Sequence, residues 1–368
     1  ATSGDLLNVD GVLTSATDAH LAVGDKADNT RGSISATGAL TASVGGATLN
    51  SGGILASNQT LTLSSGSLEN TSGSIQSAQA GVQLAVTNQM VNGSGGSINA
   101  ATDLDIQAGA LSNSGSLRGA NDIHVAIGGA LVNDGSVTAG RHATITAGSL
   151  QGGSTGVQGA GIQSDGTLGG AGDLDVTSTG ALVAHGTNLA AGNAALQGAS
   201  VDLSGSQTSA ANIAVTATQG NVTTDKAVIT TPGTLNVKAA GVVSNVEGTL
   251  AGNGDTTIDA SSLDNSAGTL ASVTGDLRVT TSGTTVNTAG RMLASGAVAL
   301  ANSGLTNTDG TASGASLSID TRGGTLDSTR GTLSASGTIG LNTGALVNDA
   351  GLIQSGGAMA IDTNGQAL

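Results

Sequence analysis

The 368-residue chain contains no phenylalanine, tyrosine, tryptophan or cysteine, and it has a single proline. Without aromatics, the large rings that bulk out most globular cores are missing. Leucine, isoleucine, valine, alanine and three methionines must do the packing, so the core has to be narrow. The missing cysteine leaves the redox compartment open, and it suits a protein that crosses a membrane unfolded. Near-absence of proline, with no three-residue glycine period, excludes collagen. Charge is also scarce, at 10% of residues, and the net balance is −15. That balance argues against a nucleic-acid partner and against an anionic membrane surface. No apolar run approaches the roughly 18–20 residues that span a bilayer, so no membrane insertion is expected. The opening ATSGDLLNVD has neither the basic nor the apolar part of a secretory leader, which suggests a mature or excised segment.

What is present is small and regular. Gly, Ser, Thr and Asn dominate, a composition shared with disordered chains. However, 38% of residues are hydrophobic and they recur at fixed spacing. The stretch Leu111 to Val125, LSNSGSLRGANDIHV, contains the whole pattern: an aliphatic, then Asn113, Gly115, a second aliphatic at Leu117, and the alternating pair Ile123 and Val125. Asn8, Asn29, Asn50, Asn70, Asn92, Asn113 and Asn133 follow at steps of 21, 21, 20, 22, 21 and 20. Asn245, Asn265, Asn287 and Asn307 resume the series, and Asn348 follows two periods later with Ser328 between. Ten of these twelve asparagines have glycine at +3, while Asn113 and Asn133 have it at +2. A period of 20–22 residues over about 17 copies indicates a solenoid.

The second half of each repeat alternates with period two, as in Leu61/Leu63, Leu104/Ile106, Ile213/Val215 and Leu277/Val279. Such alternation marks strands with one buried face, and no window carries a helical stripe. The reading is therefore an all-β fold, a parallel β-helix or β-solenoid of two or three short strands per coil. Coils stacked at about 4.8 Å would form a rod roughly 80 Å long. Asparagine and glycine adopt positive φ cheaply and so suit the corners, where stacked asparagines can also form an amide ladder. Pro232, in TTPG, suits a type II turn. One repeat array is expected over 1–368: regular coils at 1–150, an irregular coil with a loop at 151–181, variant coils at 182–244 and regular coils at 245–368. No polar cap closes either end, so the segment is expected to be an excerpt of a longer array.

Active-site chemistry is not legible. His20, His124, His142 and His185 share no repeat position, and no metal spacing emerges. Asp103/Asp105, Asp122 and Asp173/Asp175 flank alternating aliphatics and could line one outer face. The clustered basic residues needed for work on acidic sugars are lacking. GGAGDLD from Gly169 and AGNGDTT from Ala251 are single near misses of a calcium-roll nonapeptide. Glycine-rich stretches lack the lysine and helix of a phosphate loop. Thr60/Thr62 and Thr144/Thr146 are not repeated on adjacent coils, as an ice-binding face requires. No enzyme activity and no cofactor is expected.

The recurring L-x-N-x-x-G-x-I-x-A-x-x-x-L-x-I, as in SLENTSGSIQS, ALVNDGSVTAG and SLDNSAGTLAS, resembles the filamentous haemagglutinin repeat. That repeat belongs to large exoproteins of Gram-negative two-partner secretion, which include filamentous adhesins and the stick-like effectors of contact-dependent growth inhibition. The resemblance implies a right-handed parallel β-helix shaft, exported through a dedicated outer-membrane transporter and displayed at the cell surface. It implies a rod that holds a distal adhesive or toxin-delivery module toward a host or neighbouring bacterial cell. It carries over no functional residue. Direct binding of a surface glycan or outer-membrane receptor by the repeats is the alternative, with a polysaccharide-acting β-helix enzyme behind it.

Overall fold

The computed structural model describes residues 1–367, and the described residues form strands and turns without a helix. Two compact units emerge, Ala1–Asn193 and a second that begins at Ala194. Each is a β-solenoid of parallel, in-register coils. A short strand recurs once per coil, nine times in the first unit from Val12–Ser15 to Thr187–Ala190. It recurs eight times in the second, from Gln207–Ser209 to Leu352–Ser355.

A coil of the first unit runs through a long strand, Leu104–Asn113, turns at the asparagine, and continues through the short strand Ser116–Gly119. The long strand is two segments merged at a bend. Its pairing with the next coil slips between Ala108 and Leu111, so inward positions resume on a new side of the coil. In the second unit the bend is a full break, and three strands stand apart, for example Leu235–Ala239, Val242–Ser244 and Thr249–Gly252. The expected two or three strands per coil are thus three sides, two of them fused in the first unit.

Period-two alternation becomes columns of like residues. Leu104 pairs with Ile123 and Ile123 with Ala143, while Leu111 pairs with Leu131 and Leu131 with Leu150. All of these are buried, and so are Ile98, Leu117 and Val137 on the short-strand side. The core is only as wide as facing aliphatics allow, which is why the absence of aromatics is compatible with close packing. Each coil covers its neighbour's hydrophobic edge, so stability is shared between coils rather than held by one.

The irregular stretch is a surface excursion. Leu150 pairs with Leu182, and between them the short strand Val157–Ala160 ends and the chain leaves the wall. An antiparallel bridge joins Ile162 to Leu168, and the chain re-enters at Asp173, whose backbone N–H donates to His142 Nδ1 at 3.2 Å. Gly161 and Gly172, at φ +74° and +146°, mark the exit and return. Limited proteolysis is expected to cut first between Gly161 and Gly172 and to leave the flanking coils protected; mass spectrometry of the fragments checks this. Prior cleavage in a regular coil would contradict it.

Pro232 does not sit in a type II turn. Gly233 lacks the positive φ such a turn requires, and its N–H instead donates to Thr231 Oγ1 at 3.0 Å.

Candidate functional site: the asparagine corner

The most constrained site repeated along the chain is the corner that joins the second side of a coil to the short strand. In the first unit the asparagine side chains point inward and are buried. Each Nδ2 donates to the Oδ1 of the next coil: Asn8 to Asn29, Asn29 to Asn50 and Asn50 to Asn70, all at 2.7 Å. Asn70 to Asn92, Asn92 to Asn113 and Asn113 to Asn133 continue at 2.8 Å. The second amide hydrogen goes to a backbone carbonyl, as from Asn113 to Ser136 O at 3.1 Å. In the second unit Thr224 Oγ1 donates to Asn245 Oδ1, and the ladder runs through Asn265 and Asn287 to Asn307, ending on Ser328 Oγ at 3.3 Å. Asn348 donates to Gly351 O, and its buried Oδ1 has no hydrogen-bond partner. A primary amide has both a donor and an acceptor end, so it propagates a column of this kind along the stack.

The expected physical reason for asparagine at the corner needs correction. Positive φ falls not on asparagine but two residues later, at Asp10, Arg31, Gly52, Ser72, Glu247, Ala267, Ala289, Asp309 and Ala350, three residues later at Gly95 after Asn92, and after Thr224 and Ser328 at Lys226 and Arg330. Asparagine is there for its buried amide. The following glycine is there for space: a Cβ on Gly53 would lie 2.1 Å from Asn29 O and 2.7 Å from Asn50 Oδ1. After Asn113 and Asn133 the turn is one residue shorter and needs no positive φ.

Two features of the corner are not apparent from the asparagine spacing. Acid–Asn–hydroxyl triplets close a local turn, as where Thr30 donates to Asp28 Oδ1 at 2.7 Å and Ser266 to Asp264 Oδ1 at 2.6 Å. The positive-φ column also pairs charge between coils. Arg31 makes a two-pronged bond to Asp10 at 2.7 Å, and Arg330 does the same to Asp309. The Arg31 guanidinium holds the Asp10 carboxyl below its ordinary range, as Arg330 does for Asp309. A depressed carboxylate stabilises above the ordinary pKa, and that contribution is lost as pH falls through the depressed value. These pairs are exposed, so salt screens them. Asp10→Asn and Asp309→Asn are expected to lower the melting midpoint at neutral pH only slightly and to shallow its fall in acid by the same small amount. A large loss at neutral pH would contradict this.

The residues considered for chemistry are placed mainly as structural caps. Asp103 Oδ1 accepts from Asp122 N at 3.2 Å, Asp122 Oδ1 from His142 N at 3.1 Å, and Asp173 Oδ1 from Asn193 N at 2.7 Å. Asp105 pairs with His124 and His124 with Thr144, so these do share one outer face. Even so, among the described residues no three His, Cys, Asp or Glu side chains converge to hold a metal. In the two near misses of a calcium roll, Asp173 and Asp255 are both engaged in capping the next coil. His20 is exposed on its strand, and His185 N donates to Gly152 O at 3.1 Å.

Parallel coils of 20–22 residues, a narrow aliphatic core and a buried amide ladder define a β-solenoid of the repeat-shaft class. The chain belongs to the haemagglutinin repeat family, whose model matches residues 1–44, 35–107, 78–117, 228–289, 272–328 and 312–368. The unmatched middle, 118–227, contains the excursion and the coils in which Gly152, Ala184, Leu203 and Thr224 stand at the corner. A toxin CdiA of Yersinia pestis is 33% identical over 165 residues, which is 43% of this chain and 5% of that protein. The chain thus spans about a twentieth of that relative's length. No solved structure matches.

Proposed function

We propose that this chain is a shaft segment of a secreted, cell-surface exoprotein of a Gram-negative bacterium, without catalytic activity of its own. The observation that carries the reading is the parallel register and aliphatic core column repeated from coil to coil within each unit, with the amide ladder running from Asn8 to Asn133 and from Asn245 to Asn307. Such repetition makes a stiff spacer whose reach scales with coil number. In this reading the asparagine corner is structural, and small outer residues keep the surface inert. The partner during export is an outer-membrane two-partner-secretion transporter. The partner at the far end is a host or neighbouring bacterial cell, contacted by an adhesive or toxin-delivery module outside this chain. Similarity to a protein named as a toxin favours delivery over adhesion.

A second reading is direct binding by the excursion at 161–172, where Leu168 is 47% exposed on an otherwise regular wall. Two changes in the parent exoprotein separate the readings, scored by target-cell contact. One removes a whole coil, residues 266–287. The other replaces residues 162–171 with a short glycine linker. A spacer tolerates both. Loss of contact only with the second change would overturn the spacer reading in favour of a local site.

A further inference from the structure

The amide ladder of the first unit stops inside the core, and a small polar site lies at the point where it stops. Asn133 pairs in register with Gly152, and Gly152 with Ala184, so no side-chain amide continues the column. Asn113 uses two acceptors, the next asparagine and a strand carbonyl. Asn133 keeps only the carbonyl, Val157 O at 3.2 Å, next to Gln158 in the chain, and the residue in register with it, Gly152, offers no side-chain acceptor. The short-strand column changes chemistry in the same coil. Leu117 pairs with Val137 and Val137 with Gln158, so a carboxamide stands where the coils before it have an aliphatic. Gln158 is 3% exposed, and its buried Oε1 has no hydrogen-bond partner.

Gly152 stands in register with the corner asparagines and lacks the side chain that Asn113 and Asn133 place there. A Cβ on Gly152 would keep 3.4 Å from Val183 O and 3.6 Å from both Ala184 Cα and Asn133 O. Buried polar atoms are almost always satisfied by protein or by an internal water.

We propose that one water molecule is bound in this corner and replaces the missing rung, accepting from Asn133 Nδ2 and donating to Gln158 Oε1. The pair of groups selects the ligand. A metal cation needs acceptors only and an anion needs donors only, whereas one donor facing one acceptor fits a molecule that is both. The ladder's hydrogen-bond direction is then relayed sideways into the short-strand column.

The test is crystallography of the full chain at a resolution that shows ordered waters, with Gly152→Asn alongside. The wild-type map is expected to hold one isolated peak within hydrogen-bond distance of both Asn133 Nδ2 and Gln158 Oε1. In Gly152→Asn the peak disappears, the new Oδ1 accepts from Asn133, and the melting midpoint rises. Gly152→Ala, whose methyl meets nothing closer than 3.4 Å, is the fallback and should displace or shift the peak. Three results would overturn the proposal: no peak in wild type, a peak ringed only by oxygens at metal distances, or a peak unchanged in both variants.

Discussion

Asn265→Asp is expected to cost about 3–5 kcal/mol at neutral pH, the range for leaving a charge buried without a partner. Asn265 Oδ1 accepts from Asn245, and its Nδ2 donates to Asn287 Oδ1 at 2.7 Å and toward the carbonyls of Gly268 and Arg291 at 3.2 Å. Aspartate keeps the accepting end and turns the donating end into an anionic oxygen aimed at three other oxygens. Burial raises such a carboxyl's pKa, so the deficit grows as pH rises through the unfolded-state value and shrinks on acidification. Asn265→Ala removes both ends without adding charge, for about 1–3 kcal/mol and with no such pH dependence. Denaturant midpoints of the two variants across acid and neutral pH separate these outcomes. Equal, pH-independent losses would mean that the ladder is not what holds the corner.

Gly290→Ala is expected to be comparably damaging for a steric reason. The added Cβ would sit 2.1 Å from Asn265 O and 2.5 Å from Asn287 Oδ1. Neither can yield without parting two coils, because that carbonyl belongs to the stacked backbone. Overpacking costs of about 3 kcal/mol apply, and with nearest-neighbour stability the damage interrupts the stack on both sides. The adjacent Ala289, at φ 53°, provides the control. Ala289→Gly relieves a left-handed alanine and should be neutral or stabilising by about 1 kcal/mol. Urea melts of the two single variants check the contrast. A tolerated Gly290→Ala would show that the corner has slack that the geometry excludes.

Much of the fold was legible because a solenoid writes its cross-section into the sequence once per coil. Alternation at Leu104/Ile106 and Ile123/Val125 identified wall strands, and the step of 20–22 residues set which side chains stack. The asparagine column was also visible, together with its capacity for a ladder. The residue that turns the corner was not. Positive φ falls on Asp10, Arg31, Ala267 and Ala289, residues with nothing in common, because the fold imposes that conformation and the side chain only points outward. The charge pairs Asp10–Arg31 and Asp309–Arg330 come from stacking at one repeat step and could have been found by reading that column alone. The excursion showed as surplus length between Leu150 and Leu182. Its hairpin, bridged at Ile162 and Leu168, depends on glycine placement that length cannot specify. The swap of Asn133's successor for Gly152 with Gln158 alongside is invisible without register.

If coils are interchangeable units of length, whole repeat steps can be removed without disturbing the rest of the stack. Deletion of residues 246–307 removes three repeat steps of the second unit and rejoins Asn245 to the residue that normally follows Asn307. Small-angle X-ray scattering of the full chain and of this deletion gives cross-sectional radius and maximum dimension separately. Interchangeable coils predict an unchanged cross-section and a maximum dimension shorter by about 14 Å, three spacings of about 4.8 Å. An altered cross-section, or a length that does not fall, would contradict them.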